Sequence, residues 1–407
     1  MHPQRHFLHN ELHARPSLYF DEPAHVFHLA FLGGESECKS LLRSLVPLAV
    51  DADAAHGITE LNGHPLKWER HAEFFTLTQV VTSGTNELFW IKLPDELESL
   101  IQSHLSMIIN SVQIIVRSEK SWRGSVFDYG FKDPSGSCIG GSDAFVWSDF
   151  RLCPEGTNRF LFINKGLNAY RQGRMIRRLL EIETYRMMAS LALPAAKELD
   201  AQLFMFERRL VHLSDLNTNI DTTSAKSLLA DIASLSAQVV SLKAKTRHRL
   251  SATQAYAQLV FERLGELRES HIGGCQRLGV FIERRFKPTV RYCAVTEQRL
   301  DQVATSVVNL GDLLQARVQV EMEEQNSEIL KSLNSRADAQ VKIQRAVEGL
   351  SIIAITYYLL SLLKLSYSAL HVLGIEISER KAMLAMAPIA FGVLLLIVTR
   401  IKKAKEH

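Results

Sequence analysis

Two long uncharged runs near the C-terminal end constrain the fold of this chain more than any other feature. The first begins "GLSIIAITYYLLSLL" and continues past Lys364, so that it covers residues 349–373. The second, "AMLAMAPIAFGVLLLIVT", covers residues 382–399. Because a helix needs about 20 apolar residues to cross a bilayer core, we expect two transmembrane helices. An external turn at residues 374–381 would join them, and a pair of buried core helices is the alternative.

Basic residues around these runs predict the orientation of the hairpin. The arginines and lysines that flank it on the outer sides are Lys331, Arg336, Lys342, Arg345, Arg400, Lys402, Lys403 and Lys405. The turn holds only Arg380 and Lys381. Since basic residues close to membrane spans favour the cytoplasmic side, we expect both chain ends, including the basic tail at residues 400–407, in the cytoplasm. The N-terminus lacks the apolar stretch of a signal peptide, which agrees with this orientation.

Composition excludes several partners. The chain has 407 residues and a net charge of +3, which is a small basic excess for a nucleic-acid binder. Its five cysteines are odd in number, scattered and without a CxxC pair. This pattern disfavours a disulfide framework or a zinc ribbon and suits a reducing compartment. We therefore expect the lipid bilayer as a partner, and neither nucleic acid nor a metal nor a cofactor.

The front part of the chain predicts mixed α and β structure. After an N-terminal polar segment at residues 1–19, short apolar strands alternate with helices over residues 20–165. The stretch "HGITELNGHPLKWERHAEFFTLTQVV" predicts a β-hairpin with "NGHP" at its tip. We expect an α/β or α+β domain on the cytoplasmic side here.

Residues 166–348 predict a helical bundle and stalk. The stretch "GRMIRRLLEIETYRMMASLAL" has helical spacing, and Pro194 is expected to end it. Further on, apolar residues follow steps of three and four, the spacing of a coiled coil: Leu300, Val303, Val307, Leu310 and Leu314. The predicted fold class is an α+β cytoplasmic domain, then a long, mostly α-helical stalk, then a two-helix transmembrane hairpin. A homo-oligomer could form through the stalk and the transmembrane helices.

The same heptad spacing continues into the first apolar run and defines a candidate membrane seam. Ser351, Tyr358, Ser361 and Ser368 share one helix face, and Lys364 lies beside it. Two interpretations stay open. Small and polar residues could let helices approach and hydrogen-bond in lipid. Alternatively, several copies could surround a water-filled axis that this face lines.

Three polar motifs predict a junction in the cytoplasmic domain. They are "HNELHARPS", "WERHAEF" and "GRMIRRLLEIETYR", and they contribute Glu11, His13, Arg15, His71, Glu73, Arg174 and Glu183. We expect His71 and Glu73 on one side of a strand, where they could perform acid–base chemistry. Binding of an anionic ligand and ordinary surface polarity are the alternatives. The histidines at positions 2, 6, 9 and 13 have helical spacing, but Pro3 and the lack of nearby cysteines disfavour a metal site.

Taken together, the motifs resemble those of a known family. "ELHARP", "ERHAEF", "GRMIRRLLEIETYRMM", "EEQNSEILKSLNSRADAQVKIQRAVEGLSIIAITYY" and the terminal hairpin occur in this order. They resemble a bacterial family of predicted membrane-anchored proteins that carry a domain of unknown function. The resemblance covers nearly the whole chain and implies the bacterial inner membrane, but it brings no activity. The layout is also similar, by analogy only, to CorA-type ion channels. The predicted turn, however, lacks their Gly-Met-Asn motif.

Three functional hypotheses follow. The chain could be a membrane-anchored structural, sensory or binding module that acts through its cytoplasmic domain. It could be an oligomeric CorA-like channel or transporter. It could also be a membrane-anchored enzyme that uses the polar junction, although no motif predicts a reaction.

Overall fold

The computed structural model describes residues 2, 4–10, 17–45, 54–82, 89–218, 222–372 and 378–403. The chain divides into two compact units, Met1–Asp312 and Leu313–His407. The helices are α1 (Arg5–Asn10), α2 (Glu35–Leu45), α3 (Asp95–Ser103), α4 (Ala169–Ser190), α5 (Ala192–Thr218), α6 (Thr222–Glu266), α7 (Leu278–Val372) and α8 (Glu379–Lys403). Short 3-10 turns occur at Leu105–Met107 and Val126–Tyr129.

The first unit is built on one mixed sheet. Its described strands are β1 (Ala24–Leu32), β2 (His56–Leu61), β3 (His64–Arg70), β4 (Phe74–Val81), β5 (Ile108–Ser118), β6 (Ser135–Ile139), β7 (Ala144–Ser148), β8 (Asn158–Asn164) and β9 (Ser270–His271). The strand order is β2-β3-β4-β1-β5-β8-β7-β6-β9. The β5–β8 pair is parallel, whereas the other named pairs are antiparallel. The predicted α+β class of this region is confirmed.

Apolar residues on both faces of β1, an interior strand of the sheet, belong to two cores. In β1, Phe27, Leu29 and Phe31 belong to a core that also contains residues of α2 and α3. Val26, on the other face, belongs to a core with residues of α4 and α6. Because successive side chains of a strand point to opposite faces, a nearly continuous apolar run such as "AHVFHLAFL" requires cover on both sides. The sheet is therefore the middle layer of this unit.

The predicted hairpin forms, and its tip is narrower than the sequence indicates. β2 and β3 pair from His56–Glu69 to Leu61–His64. Asn62 and Gly63 connect them with φ values of 55° and 75°. A two-residue turn with two positive φ values matches the twist of the flanking strands, and Asn-Gly adopts it most readily.

The strand prediction for His71 and Glu73 is wrong. β3 ends at Arg70, β4 begins at Phe74, and the backbone N–H of His71 donates to the Phe74 carbonyl at 2.8 Å. The two residues therefore belong to a tight second turn instead of one strand face. Alternating polar and apolar residues continue through this turn, so the two-residue period does not reveal it.

The helical region differs from the prediction at two places: its first boundary, and residues 267–277, where the chain leaves the helices and adds β9 to the sheet. The helix is interrupted at Leu191, between α4 and α5. Pro194 lies in the first turn of α5. Proline is tolerated there because the first-turn N–H groups have no intrahelical partner. Further along, Leu300, Val303, Val307 and Leu310 of α7 are buried. This part of the predicted stalk is thus covered by its own chain.

The second unit contains the C-terminal part of α7 together with α8. The most apolar 18-residue window of α7 has a mean hydropathy of 1.8, and none of it is buried. In α8 the described apolar segment is Ala387–Ile397, which is shorter than the helix needed to cross a bilayer. Among the described residues, one helix is therefore long and apolar enough to cross a membrane, and the predicted two-helix hairpin is not confirmed. Residues 373–377 and 404–407 lie outside the described ranges.

Candidate functional site

A small polar cavity lies between the sheet and α4. Its lining includes His28 of β1, Lys67 and Glu69 of β3, and Arg177 and Glu181 of α4. The cavity volume is about 40 Å³, which is room for about three water molecules. It is therefore a site of buried polar contacts and is too small for an organic substrate.

Lys67 is the most deeply buried cation at this cavity. In β3, Leu66 and Trp68 enter the core beside α2 and α3, so the strand alternation turns Lys67 towards α4. Lys67 is 4% exposed, and its Nζ lies 2.9 Å from Oε1 of Glu69. Burial lowers the pKa of Lys67, and the Glu69 carboxylate opposes this shift. A buried ammonium group of this kind needs a carboxylate partner.

Glu181 connects α4 to α6 beside the cavity. Its Oε1 lies 3.2 Å from Nε of Arg177, one helical turn earlier. Its Oε2 accepts a hydrogen bond from Nε of Arg263 in α6. Arg263 and Arg178 both bind the carboxylate of Glu266, at 2.9 and 2.7 Å. The ion pairs thus form a continuous network between the two helices.

His28 is a neutral hydrogen-bonding group in this cavity. Its Nδ1 lies 2.8 Å from the hydroxyl of Thr78, and its Nε2 lies 2.9 Å from the hydroxyl of Thr184. Burial, together with the positive charges of Lys67 and His71, lowers its pKa to about 3. A neutral imidazole donates through one nitrogen and accepts through the other. His28 therefore connects β1, β4 and α4 and has no nitrogen available as a base.

Among the junction residues that the structure describes, His71 lines the cavity. Its ring stacks on Phe74 at 4.1 Å and meets the edge of Tyr185 at 6.4 Å. The segment after the "HNELHARPS" motif approaches the same place, because Ser17 and Leu18 also line the cavity. Glu11, His13 and Arg15 lie outside the described residues. Their contact with His71 stays a prediction.

The other junction residues have separate surroundings. Oε2 of Glu73 lies 2.8 Å from Nη2 of Arg249 in α6, and the hydroxyl of Tyr256 also hydrogen-bonds with this carboxylate. Burial is the main cause that raises the pKa of Tyr256, and Glu73 adds to it. Arg174 is exposed. Glu183 is 1% exposed and pairs with Arg186.

Two residues of this site, Lys67 and His28, lie outside the three polar motifs of the sequence. Lys67 and His28 look like ordinary members of a half-exposed strand, because a single polar residue between apolar ones predicts a solvent-facing position. The available signal is the position of Lys67 between Leu66 and Trp68, two apolar residues that occupy the other face of the strand.

The chemistry of this arrangement is structural and electrostatic. Within the described ranges, no group of three His, Cys, Asp or Glu side chains is placed to hold a metal ion. The ion pairs and the neutral histidine position α4 on the sheet.

A mixed α+β unit followed by an exposed apolar helix is the class of architecture that the chain defines. The chain belongs to the family described as "Protein of unknown function (DUF3422)", which matches residues 1–405. The resemblance to an uncharacterised family is therefore confirmed. A comparison with curated proteins gives no match.

Among solved structures, the chain matches the one titled "structure of the full-length CmaX protein". The two share 10% sequence identity, and the match covers 93% of this chain and 99% of the other. The TM-score is 0.22, so this likeness carries no argument about fold or function. The CorA analogy is not confirmed.

Proposed function

We propose that the protein is anchored in the bacterial inner membrane and acts through its α+β unit as a binding or sensory module. The observation that carries this proposal is the apolar window of α7, in which no residue is buried. A core helix of equal hydropathy would be covered by protein. Exposing such a run to water is costly at roughly 25 cal/mol for each Å² of apolar surface, whereas a bilayer removes that cost.

Charge supports one orientation. The basic residues Lys342 and Arg345 precede the apolar window, and Arg400 and Lys402 follow the second apolar run. Basic residues beside a span favour the cytoplasmic side. In this proposal the α+β unit and both chain ends are cytoplasmic, and residues 374–381 form the external turn between two spans.

Reporter fusions test the topology. A reporter that is active in the cytoplasm is fused after His407, and one that is active in the periplasm is inserted within residues 374–381. We expect both fusions to be active. When the two reporters are exchanged between the positions, we expect neither fusion to be active. A tail fusion that is active only in the periplasm contradicts the orientation. Complete release of the protein from membranes by alkaline carbonate contradicts anchoring.

An oligomeric channel is the second candidate, and one observation favours it. Ser351, Tyr358, Ser361, Lys364 and Ser368 of the seam are all exposed. The partly buried residues of the same helix are 352, 356, 359, 363 and 367. At about 100° per residue, these two sets lie on roughly opposite sides of α7. The polar seam is thus available to other copies of the chain. Oligomers of defined size in detergent are expected for a channel, and a monomer contradicts it.

A further inference from the structure

A second, larger cleft lies at the C-terminal end of α4. It is lined by the segment that follows β7, by α4 and by the first turns of α7, all within the first unit. Its volume is about 350 Å³, which is in the range of pockets that hold small molecules. The groups that can recognise a ligand there are three guanidinium groups and an aromatic wall.

Arg186 is held in a fixed position at this cleft. Its Nε donates to Oε1 of Glu183 at 3.0 Å, and its Nη2 donates to Oε2 at 2.8 Å. The Glu183 carboxylate also accepts from Nδ2 of Asn158 at 2.8 Å. The positive charge of Arg186 beside this carboxylate is stabilised, which raises the pKa of Arg186. This side-on pairing is bidentate and rigid.

The buried chain of contacts continues to the wall of the cleft. The Ser148 hydroxyl donates to Oδ1 of Asn158 at 3.3 Å and accepts from the backbone N–H of Phe150 at 3.0 Å. Phe150 has a φ of 54°, a left-handed conformation that a bulky residue adopts only when its surroundings impose it. Its ring stacks on Phe281 of α7 at 4.9 Å with an interplanar angle of 9°. The same contacts therefore position both Arg186 and the aromatic wall.

The guanidinium donors at the cleft indicate which kind of ligand it can bind. Within the described residues, Nη1 of Arg186 makes no hydrogen bond, and the guanidinium groups of Arg151 and Arg285 make no ion pair. Arg285 lies over the ring of Phe281, 5.1 Å from its centroid. Asp149 also lines the cleft, but its two oxygens accept the backbone N–H groups of Lys132 and Arg151. Donors thus exceed acceptors, although the carboxylates of Asp133 and Asp149 also line the cleft.

We infer that this cleft binds a small organic molecule that carries a carboxylate or a phosphate group. The oxyanion accepts from Arg186 and Arg285, because guanidinium groups match the geometry of both anions. The apolar part of the ligand lies against the aromatic wall of Phe150 and Phe281. This site is independent of membrane anchoring, since every residue that forms it belongs to the first unit.

Calorimetric titration of the purified full chain tests the inference with four probes. Phenyl phosphate and benzoate carry an oxyanion on an aromatic body, inorganic phosphate lacks the body, and benzyl alcohol lacks the charge. We expect saturable binding of phenyl phosphate, benzoate or both, and weaker or no binding of the other two. Whichever of the two aromatic anions binds more tightly identifies the charged group of the ligand as a phosphate or a carboxylate. Absence of binding by both, or equal binding of inorganic phosphate, overturns the inference.

Two matched variants locate the site. Arg285→Met removes a guanidinium group that has no ion-pair partner within the described ranges, so its effect on folding is small. It should lower the affinity for the more tightly bound aromatic anion by about tenfold or more, which is the loss typical of one charge-assisted contact. Arg284→Met is the control, because Arg284 is exposed on the same helix and does not line the cleft. Equal weakening by both variants indicates general charge attraction and overturns the assignment.

A third variant examines the rigid cation without removing its charge. Arg186→Lys keeps a positive charge beside Glu183 but loses the bidentate fork. It should weaken binding of the aromatic anion because Nη1, the donor that Glu183 leaves free, is lost. Its unfolding temperature should also fall, because the buried Glu183 carboxylate loses its bidentate partner. Unchanged affinity in this variant excludes Arg186 as a ligand-binding group and overturns its role.

Discussion

The carbonyl oxygen of Leu18 lies against Gly173 of α4 so closely that a Cβ atom on residue 173 would be 2.0 Å away from it. The segment that leads into β1 and the helix that covers the sheet are in contact through backbone atoms here. Any side chain at residue 173 would have to displace one of them. This contact holds Ser17 and Leu18 at the polar cavity.

Gly173→Ala should therefore destabilise the first unit, although alanine normally favours a helix. We expect a loss of about 1–3 kcal/mol, the range for overpacking in a closely packed interior. Urea unfolding of the purified full chain measures it. Gly265→Ala in α6 is the matched control, because no atom beyond its own stretch of helix lies within 4 Å of its added Cβ. The control should be neutral or stabilising by up to about 1 kcal/mol, and equal losses in both variants contradict the contact.

Local turn chemistry is the part of the fold that the sequence predicts best. Asn62–Gly63 is identified from two residues because few others adopt two successive positive φ values. The turn at Ala72–Glu73 has no such signature, so His71 and Glu73 look like strand residues. The break at Leu191 likewise lacks a signal, since Pro194 is acceptable in a first turn.

The candidate site was harder to predict than the fold because its members meet only through long-range packing. Lys67 is buried because α4 covers β3, and α4 begins about a hundred residues later in the chain. Glu183 pairs with Asn158 of β8 and with Arg186, and it does not line the cavity beside His71. Such relations depend on the parallel β5–β8 pair and the helix layer, which no local pattern specifies.

The buried pair of Lys67 and Glu69 predicts an asymmetric response to substitution. Glu69→Gln leaves the Lys67 ammonium buried without its carboxylate, and this should cost about 3–5 kcal/mol of unfolding free energy. Replacing both, with Lys67→Met and Glu69→Gln, should recover most of the loss because the unpaired charge is gone. Urea unfolding of both variants measures the difference.

An exposed pair provides the comparison. Glu283 and Lys287 of α7 lie 2.8 Å apart with largely exposed side chains. Glu283→Gln should change the unfolding free energy by less than about 1 kcal/mol. If Glu69→Gln costs no more than this control, Lys67 is solvated in the folded protein and the buried pair is disproved.

His28 predicts an acid-sensitive first unit. Its pKa in the folded protein, about 3, lies below the ordinary value of 6.5, so the unfolded chain takes up the proton first. The stability that it contributes is complete above pH 6.5 and is lost as the pH falls towards 3. The slope is about 1.4 kcal/mol per pH unit for each histidine kept neutral. His25, buried with a pKa of about 4, adds to the same loss.

His28→Gln tests this origin, because glutamine can hydrogen-bond Thr78 and Thr184 but does not titrate. Its unfolding free energy, measured in urea at several pH values below neutral, should fall less steeply than that of the unchanged chain. The expected reduction in slope is about 1.4 kcal/mol per pH unit. Parallel pH profiles for the two proteins assign the acid sensitivity to other groups and refute the prediction.

Access of water to the seam on α7 distinguishes a membrane anchor from a pore. Ser351 already donates its hydroxyl to the carbonyl of Val347 at 2.8 Å, so this side chain is satisfied in lipid without a partner. Lys364 is different, because a lysine in the middle of a span costs about 2.5–3.5 kcal/mol unless it reaches water or the membrane surface. If the span begins near Val347, Lys364 reaches the outer surface; if it begins nearer Ser351, Lys364 requires water or a partner inside.

Single cysteine substitutions along residues 351–368, followed by a water-soluble thiol reagent, distinguish these cases in membranes. The five native cysteines all belong to the first unit, and labelling of the unchanged chain gives the background. For the proposed anchor we expect protection of every position up to residue 363, with labelling beginning near Lys364. Labelling at residues 351, 358, 361 and 368, with residues 352, 355 and 359 protected, means that water reaches only the seam. That periodic result would contradict the anchor and establish a water-filled axis between copies of the chain.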